Sequence, residues 1–255
     1  MPEDPLQDWH EWNLPINRKP VLRRQLNTGR TNKTYLIEID KTLGVLRINA
    51  SNSGVLGIDR QRELNILESA SAAGLAPEIL YCSTDHGVMI SEFIDGQHWQ
   101  ACVLDTPEKL SLLLETLHRI HTLKVSTSTF NYQQHELNYW RQLENGNISI
   151  PDDLCKQREK LLPLLARIPA SNVICHHDPN PQNIVVHAGR LYFLDWEYAA
   201  PGWPAFDYAA LSVEWNIPVD KLVLRNGLDI DEIKEAIDLY VYLCDLWSYL
   251  QKSRK

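Results

Sequence analysis

The sequence predicts an α+β chain in two parts, a small antiparallel-sheet lobe over residues 1–94 and a larger, mainly helical lobe over residues 95–255. Three observations carry this. Short apolar runs of strand type crowd before residue 94 around one helical segment. After the Asp95-Gly96 turn the apolar residues recur at helical spacing. One β island, residues 183–195, interrupts the helical part.

In the first part, Thr34 to Ile39 and Gly44 to Asn49 alternate around Asp40 to Leu43 and read as a hairpin. Residues 58–73 place Leu64, Ile66, Leu67 and Ala70 at helical spacing and stop at Gly74, a helix with a glycine C-cap. Glu78 to Tyr81 and Gly87 to Phe93 resume strand character. In the second part, Thr106 is placed to N-cap a helix with Pro107 at its first position and a stripe of Leu110, Leu113, Leu114 and Leu117. Asp153 to Arg167 reads as a helix interrupted at Pro163. The last helix starts near Asp229 and carries Ile233, Ala236, Ile237, Tyr240, Cys244 and Trp247 at helical spacing. In the β island, Asn183 to His187 and Leu191 to Asp195 flank Ala188-Gly189-Arg190 as a tight hairpin.

Composition narrows the function classes. With 44% apolar and 23% charged residues in 255, the chain is neither disordered nor fibrous. Its formal net charge of −8 disfavours a nucleic-acid partner, whose phosphates need cations, and is compatible with a cationic small molecule. The first twenty residues lack the apolar region of a signal peptide, and no uncharged run is long enough to span a bilayer, so a cytoplasmic chain without membrane insertion is expected. Five cysteines without a C-x-x-C pair read as reduced thiols. No G-x-S-x-G is present to support hydrolase chemistry, and His118 with His121 is a pair lacking a third metal ligand. Oligomeric state is not legible.

The chemistry concentrates in His176-His177-Asp178-Pro179-Asn180-Pro181-Gln182-Asn183. This is H-x-D followed by Asn at the spacing of a phosphotransferase catalytic loop. Phosphoryl transfer needs a carboxylate to orient the attacking hydroxyl, and oxygen ligands to hold Mg²⁺ on the phosphates. Asp178 fits the base and Asn183 a metal ligand. Asp195, at the end of the hairpin, fits a second metal ligand, so the hairpin would carry both to one Mg²⁺ site. Alone, the loop motif also reads as a polar turn.

The run HHDPNPQNIVV, then LYFLDWEYA, then WPAFDYAAL, with TNKTYLIEI, GVLRIN, RELNILESASAAGLAPEIL and MISEFIDG before them, resembles the aminoglycoside phosphotransferase and choline kinase family. That resemblance, which leaves residues 1–20 unmatched, implies a protein-kinase-like fold with ATP and Mg²⁺ as cofactors. It implies that Arg47 contacts the nucleotide phosphates and that Glu63 is its ion-pair partner. Glu92 to Ile94 would hold adenine through the backbone, and Asn27 to Thr34, including Thr31, would cover the phosphates. Read without it, Arg47 and Glu63 are equally a strand Arg and a solvated helix Glu. Position 180 is Asn where relatives carry His or Lys, so the charge facing the transferring phosphoryl group is unassigned. Asp207 matches a residue that braces the loop, or else N-caps a helix at Tyr208.

The DWEY run resembles most the choline and ethanolamine kinase branch and its thiamine kinase relatives. The substrate this implies is a small cationic alcohol, with Glu197, Trp203 and Trp215 as contacts, since aromatic faces with a carboxylate suit a quaternary ammonium. Trp247 reads as core. An aminoglycoside phosphotransferase is the second reading and a non-enzymatic kinase-like scaffold the third.

Overall fold

The structure, a computed structural model of the chain, describes residues 4–27, 32–50, 54, 56–100, 104, 106–223 and 229–252. Strands β1 (Val21–Asn27), β2 (Asn32–Ile39), β3 (Thr42–Asn49), β4 (Ile79–Ser83) and β5 (Val88–Glu92) form an antiparallel sheet in the order β1-β2-β3-β5-β4. The β2–β3 hairpin turns on Asp40 and Lys41 alone, at φ 46° and 74°. Two residues with positive φ give the turn whose twist matches the strands, so β3 begins at Thr42 rather than Gly44. Strand β1 was not expected.

Register sets Thr34 opposite Arg47, and Arg47 opposite Met89. Alternation along β3 sends Leu46 to the outer face with Ile37 and Ile90, where Leu6 and Trp12 cover them. It turns Val45 and Arg47 to the inner face, into a cleft. Residues before β1 are thus part of the core. Trp12 is 6% exposed, and Trp12→Ala is expected to destabilise the fold by about 3–5 kcal/mol; an unchanged denaturation midpoint would show the segment to be dispensable.

Helix α1 (Arg60–Ala72) follows the sheet's first three strands. Asp59 caps it by accepting from the N–H groups of Gln61 and Arg62, and Gly74 at φ 68° ends it. The second part contains α2 (Pro107–His121), α3 (Tyr132–Asn145), α4 (Asp152–Arg167), α5 (Pro204–Glu214), α6 (Val219–Val223) and α7 (Ile230–Lys252). Helix α7 packs against α3, α4, α5 and α6 at the centre of the larger core. Trp247 packs half-buried against that core, and Thr106 caps α2 as expected. Pro163 does not interrupt α4, which runs unbroken across it. The carbonyl freed by the missing N–H belongs to exposed Glu159, where water can satisfy it.

The β island is β8 (Ile184–His187) and β9 (Arg190–Phe193), turning on Ala188 and Gly189 at φ 48° and 74°. A third strand, β6 (Gln97–His98), pairs with β8. A Cβ at Gly96 would meet the Val186 carbonyl oxygen and Val185 Cγ1, so only glycine lets the segment joining the two parts lie this close to β8. Strands β7 (Ile174–Cys175) and β10 (Ala200–Pro201) form a short ribbon that frames the loop entering β8. No described helix is long and apolar enough to cross a membrane. Cys82, Cys155, Cys175 and Cys244 are free; Cys102 lies outside the described residues.

Candidate active site

The loop between β7 and β8 is held from beneath by Asp207 in the first turn of α5. Its Oδ2 accepts from the His176 N–H at 2.9 Å and its Oδ1 from the His177 N–H at 2.7 Å. His121 Nε2 lies 2.9 Å from the same Oδ2. Asp207 is therefore a brace; the N-cap of α5 is Trp203. His121, read from sequence as one of a helical pair, belongs to this brace, while His118 is exposed. Asp207→Ala is expected to cost about 3–5 kcal/mol, because three polar partners lose a buried charge. Chemical denaturation measures this, and a loss under 1 kcal/mol would remove the brace.

His177 sits at φ 67°, a region that favours Gly, Asn or Asp but also admits His. Its ring stacks on Phe130 with centroids 4.2 Å apart, and its Nε2 lies 2.8 Å from the Tyr132 hydroxyl. A Cβ at Gly202 would come within 2.5 Å of that nitrogen, so the ring requires glycine there. Burial lowers both His176 and His177 to about 4. Both are neutral near pH 7, and neither replaces the charge missing at position 180.

Asp178 follows directly. Its Oδ1 accepts from Asn180 Nδ2 at 2.8 Å and its Oδ2 from Asn183 Nδ2 at 2.9 Å. Asn180 Oδ1 accepts from the N–H groups of Gln182 and Asn183, so this side chain is fully engaged within the loop and orients Asp178. Burial raises Asp178 to about 7; the two amides oppose this, and the charges of Glu214 and Glu197 add to it. A carboxyl poised there can take a proton near neutral pH.

Asn183 and Asp195 line one cleft of about 910 Å³ together with Arg47, Glu92, Phe93 and Ile94. The Leu194 N–H donates to the Asn183 carbonyl at 2.7 Å, which fixes the start of β8 against the end of β9. Asp195 takes φ 57°, two residues past β9. Its side chain is 39% exposed; the loss of water around it raises the carboxyl first, the charge of Glu197 next, and Arg47 opposes. The Asn183 amide donates both to Asp178 Oδ2 and to the Asp178 carbonyl at 3.0 Å. Its Oδ1 then accepts no hydrogen bond among the described residues. A neutral oxygen and a carboxylate in a crowd of negative charge are the donors a hard divalent cation takes.

Above them, Arg47 Nη1 meets Glu63 Oε1 at 2.6 Å and lies 3.9 Å from Asp195 Oδ1. Glu63 is 1% exposed, so the solvated-helix reading is excluded. Burial works against the Arg47 charge, but Glu63 together with Asp195 and Glu197 outweighs it and holds the guanidinium firmly protonated. Along the segment joining the two parts, the Glu92 N–H donates to the Glu78 carbonyl and the Phe93 N–H to the Leu43 carbonyl. The Glu92 N–H is therefore engaged, and Ile94 has the N–H that makes no backbone hydrogen bond among the described residues. Thr31 and residues 28–30 lie outside the described residues.

A family model described as the phosphotransferase enzyme family matches residues 23–238. The chain belongs to this family. Protein LicA of Haemophilus influenzae is 27% identical over 221 residues, covering 84% of this chain and 62% of that protein. Ethanolamine kinase 2 of Mus musculus is 26% identical over 201 residues, covering 73% and 51%. The chain thus spans less than two thirds of the length of each of these relatives. The solved structure of the choline kinase LicA from Streptococcus pneumoniae shares the fold, with TM-score 0.76 at 22% identity over 92% of this chain and 87% of that one. The protein-kinase-like architecture is that of the phosphotransferase family, whose matched stretch contains every residue of the cleft named above.

Three expectations require correction. Trp203 and Trp215 are each 3% exposed. The Trp203 indole N–H donates to Glu232 at 2.5 Å and that of Trp215 to the Pro179 carbonyl at 2.8 Å. Both frame the loop and neither opens an aromatic face to a substrate. Glu197 is also 3% exposed, and its Oε2 accepts from Asn32 and Arg60. Sequence reading missed Arg60, which stands in no motif, and gave Asn32 no role of its own within the 27–34 stretch; only tertiary packing brings both to Glu197.

Proposed function

We propose that this chain is an ATP- and Mg²⁺-dependent small-molecule kinase that moves the γ-phosphoryl group to the hydroxyl of a small cationic alcohol of the choline, ethanolamine or thiamine type. The observation that carries it is the joining of the Asp178 carboxylate to the Asn183 side chain by a direct hydrogen bond, on a loop whose Asn183 shares the cleft with Asp195 and Arg47. Residues 1–94 would supply the nucleotide side of the cleft and residues 95–255 the catalytic side.

Asp178 orients the substrate hydroxyl and accepts its proton as the alcohol oxygen bonds to the γ-phosphorus and the bond to the β–γ bridging oxygen breaks. Asn180 and Asn183 fix the carboxylate in the attitude this needs. Arg47 forks onto phosphate oxygens, and the Ile94 N–H faces the base. Asn183 and Asp195 would hold Mg²⁺, which supplies neutralisation of the phosphate charge. The transfer is direct, and no phosphoenzyme is formed.

Cation recognition is supported by the field around Asp178. Glu214 and Glu197 are the negative charges that act on it, and of the two Glu197 is buried and committed to Asn32 and Arg60. The Tyr240 hydroxyl donates to Glu214 Oε1 at 3.2 Å, and the hydroxyls of Tyr139 and Tyr198 lie 3.3 Å apart. Glu214 is the exposed carboxylate of this group, and its charge suits an ammonium. ADP release measured over choline, ethanolamine, thiamine and kanamycin tests the reading. Turnover with one of the first three is expected. Turnover with kanamycin alone would give the aminoglycoside reading, and none with any of the four would sink the proposal.

A further inference from the structure

Asp195, Arg47, Glu63, Arg60 and Glu197 make a chain of alternating charge whose two ends are separated in sequence only by Trp196. Glu63 is its midpoint: Oε1 takes Arg47 at 2.6 Å and Oε2 takes Arg60 Nη1 at 2.7 Å. Arg47 reaches on to Asp195 at 3.9 Å, and Arg60 Nη1 to Glu197 Oε2 at 3.3 Å. Asn32 closes the second half, donating to Glu197 Oε2 at 2.8 Å and accepting from Arg60 Nη2 at 3.0 Å. The side chains of Arg47, Glu63, Arg60 and Glu197 are 11%, 1%, 12% and 4% exposed.

We propose that Arg60 is a positioning residue for the nucleotide site, tying segment 195–197 of the second part to α1 and to the start of β2 so that Arg47 and Asp195 face the cleft together. The assignment rests on the phosphotransferase reading of that site. The physical reason is charge balance. Glu63 and Glu197 are buried carboxylates sharing one guanidinium, and a buried carboxylate without a cation forces its surroundings to rearrange. Without Arg60, among the described residues Glu197 keeps only the Asn32 amide and repels Asp195 two positions away, while Glu63 keeps only Arg47. Arg47 is then drawn toward Glu63 and away from Asp195, and Asp195 is displaced. Neither residue has been altered, yet both the phosphate contact and the divalent-cation contact weaken. A lysine preserves the charge but serves one carboxylate rather than bridging two.

Calorimetric titration of AMP-PNP into the full chain, with and without Mg²⁺, tests this on Arg60→Met and Arg60→Lys, with melting temperatures measured in parallel. For Arg60→Met, affinity in the presence of Mg²⁺ is expected to fall about tenfold or more, with a smaller change in its absence; Arg60→Lys is expected to fall between this variant and the original chain. Unchanged affinity in both variants, including a lowered melting temperature with unchanged affinity, overturns the assignment. Should Arg60→Met fail to fold, Arg60→Lys decides alone, and wild-type affinity there overturns it. An unaltered chain that binds AMP-PNP with Mg²⁺ but phosphorylates no alcohol removes the kinase reading and leaves the test of Arg60 intact. An unaltered chain that shows no binding overturns both.

Discussion

Replacing Asp178 by asparagine is expected to lower kcat by about 10²–10⁴-fold, the range supplied by a positioned general base, with little change in ATP binding. The substitution keeps the size of the side chain and one of its two acceptors, which Asn183 Nδ2 can still use, and removes the other, facing Asn180 Nδ2, together with the proton acceptor. The pH dependence adds a second signature. The base must be ionised to act, and Asp178 titrates at about 7 in the ligand-free chain. kcat/KM is therefore expected to rise through that region as pH increases and to level off above it. A bound divalent cation stabilises the carboxylate, so the rise in kcat of the loaded chain falls at lower pH. In Asp178→Asn this limb should vanish. Steady-state kinetics between pH 5 and 9 measure both, and a variant with wild-type kcat and an unshifted profile would remove Asp178 from the chemistry.

Asp195→Ala is expected to act on a different step. Its carboxylate is the charged one of the two oxygen donors facing the cleft, and Glu197 beside it is already committed to Arg60 and Asn32. Loss of residues that merely support a metal ligand lowers metal affinity about 10–100-fold, so loss of a ligand itself should cost at least about 100-fold. The Mg²⁺-dependent part of nucleotide binding should disappear, while binding without Mg²⁺ is retained or slightly improved because one negative charge has left the cleft. Titration of AMP-PNP at several Mg²⁺ concentrations measures this; a variant whose affinity still rises with Mg²⁺ as in the unaltered chain would contradict the assignment.

The groups that were legible in the sequence are those whose partners lie nearby along the chain. Asp178 and Asn183 are joined by two hydrogen bonds across five positions, and a tight β8–β9 hairpin sets the distance to Asp195, so local spacing carries their geometry. Arg47 and Glu63 were placed by resemblance, and their environment only by the fold. Their burial depends on the sheet's inner face closing over α1, which nothing in either segment announces. Arg60 and Glu197 show the opposite case. They lie 137 positions apart, and each alone looks like an ordinary surface charge.

The elements that sequence reading missed or misjudged have similar causes. In α3 the inward face is Tyr132, Glu136, Tyr139, Trp140 and Leu143. A buried glutamate breaks the apolar pattern there because Arg158 and the Tyr242 hydroxyl satisfy it, both at 2.8 Å. In the sequence Trp203 and Trp215 look like substrate contacts, because an aromatic residue near an acidic loop suits a cation. Their indole N–H groups needed buried acceptors instead, and burial with a satisfied donor is the commoner fate of tryptophan.

In the proposed mechanism Asn183 and Asp195 hold the divalent cation while Asp178, joined to Asn183, stays off it. One comparison tests this most directly: the gain in AMP-PNP affinity on adding Mg²⁺, measured by calorimetry for the unaltered chain and for Asn183→Ala, Asp195→Ala and Asp178→Asn. The expected result is a gain that survives in Asp178→Asn and is lost in the other two. A gain of equal size in all four proteins, or one lost only in Asp178→Asn, would contradict it.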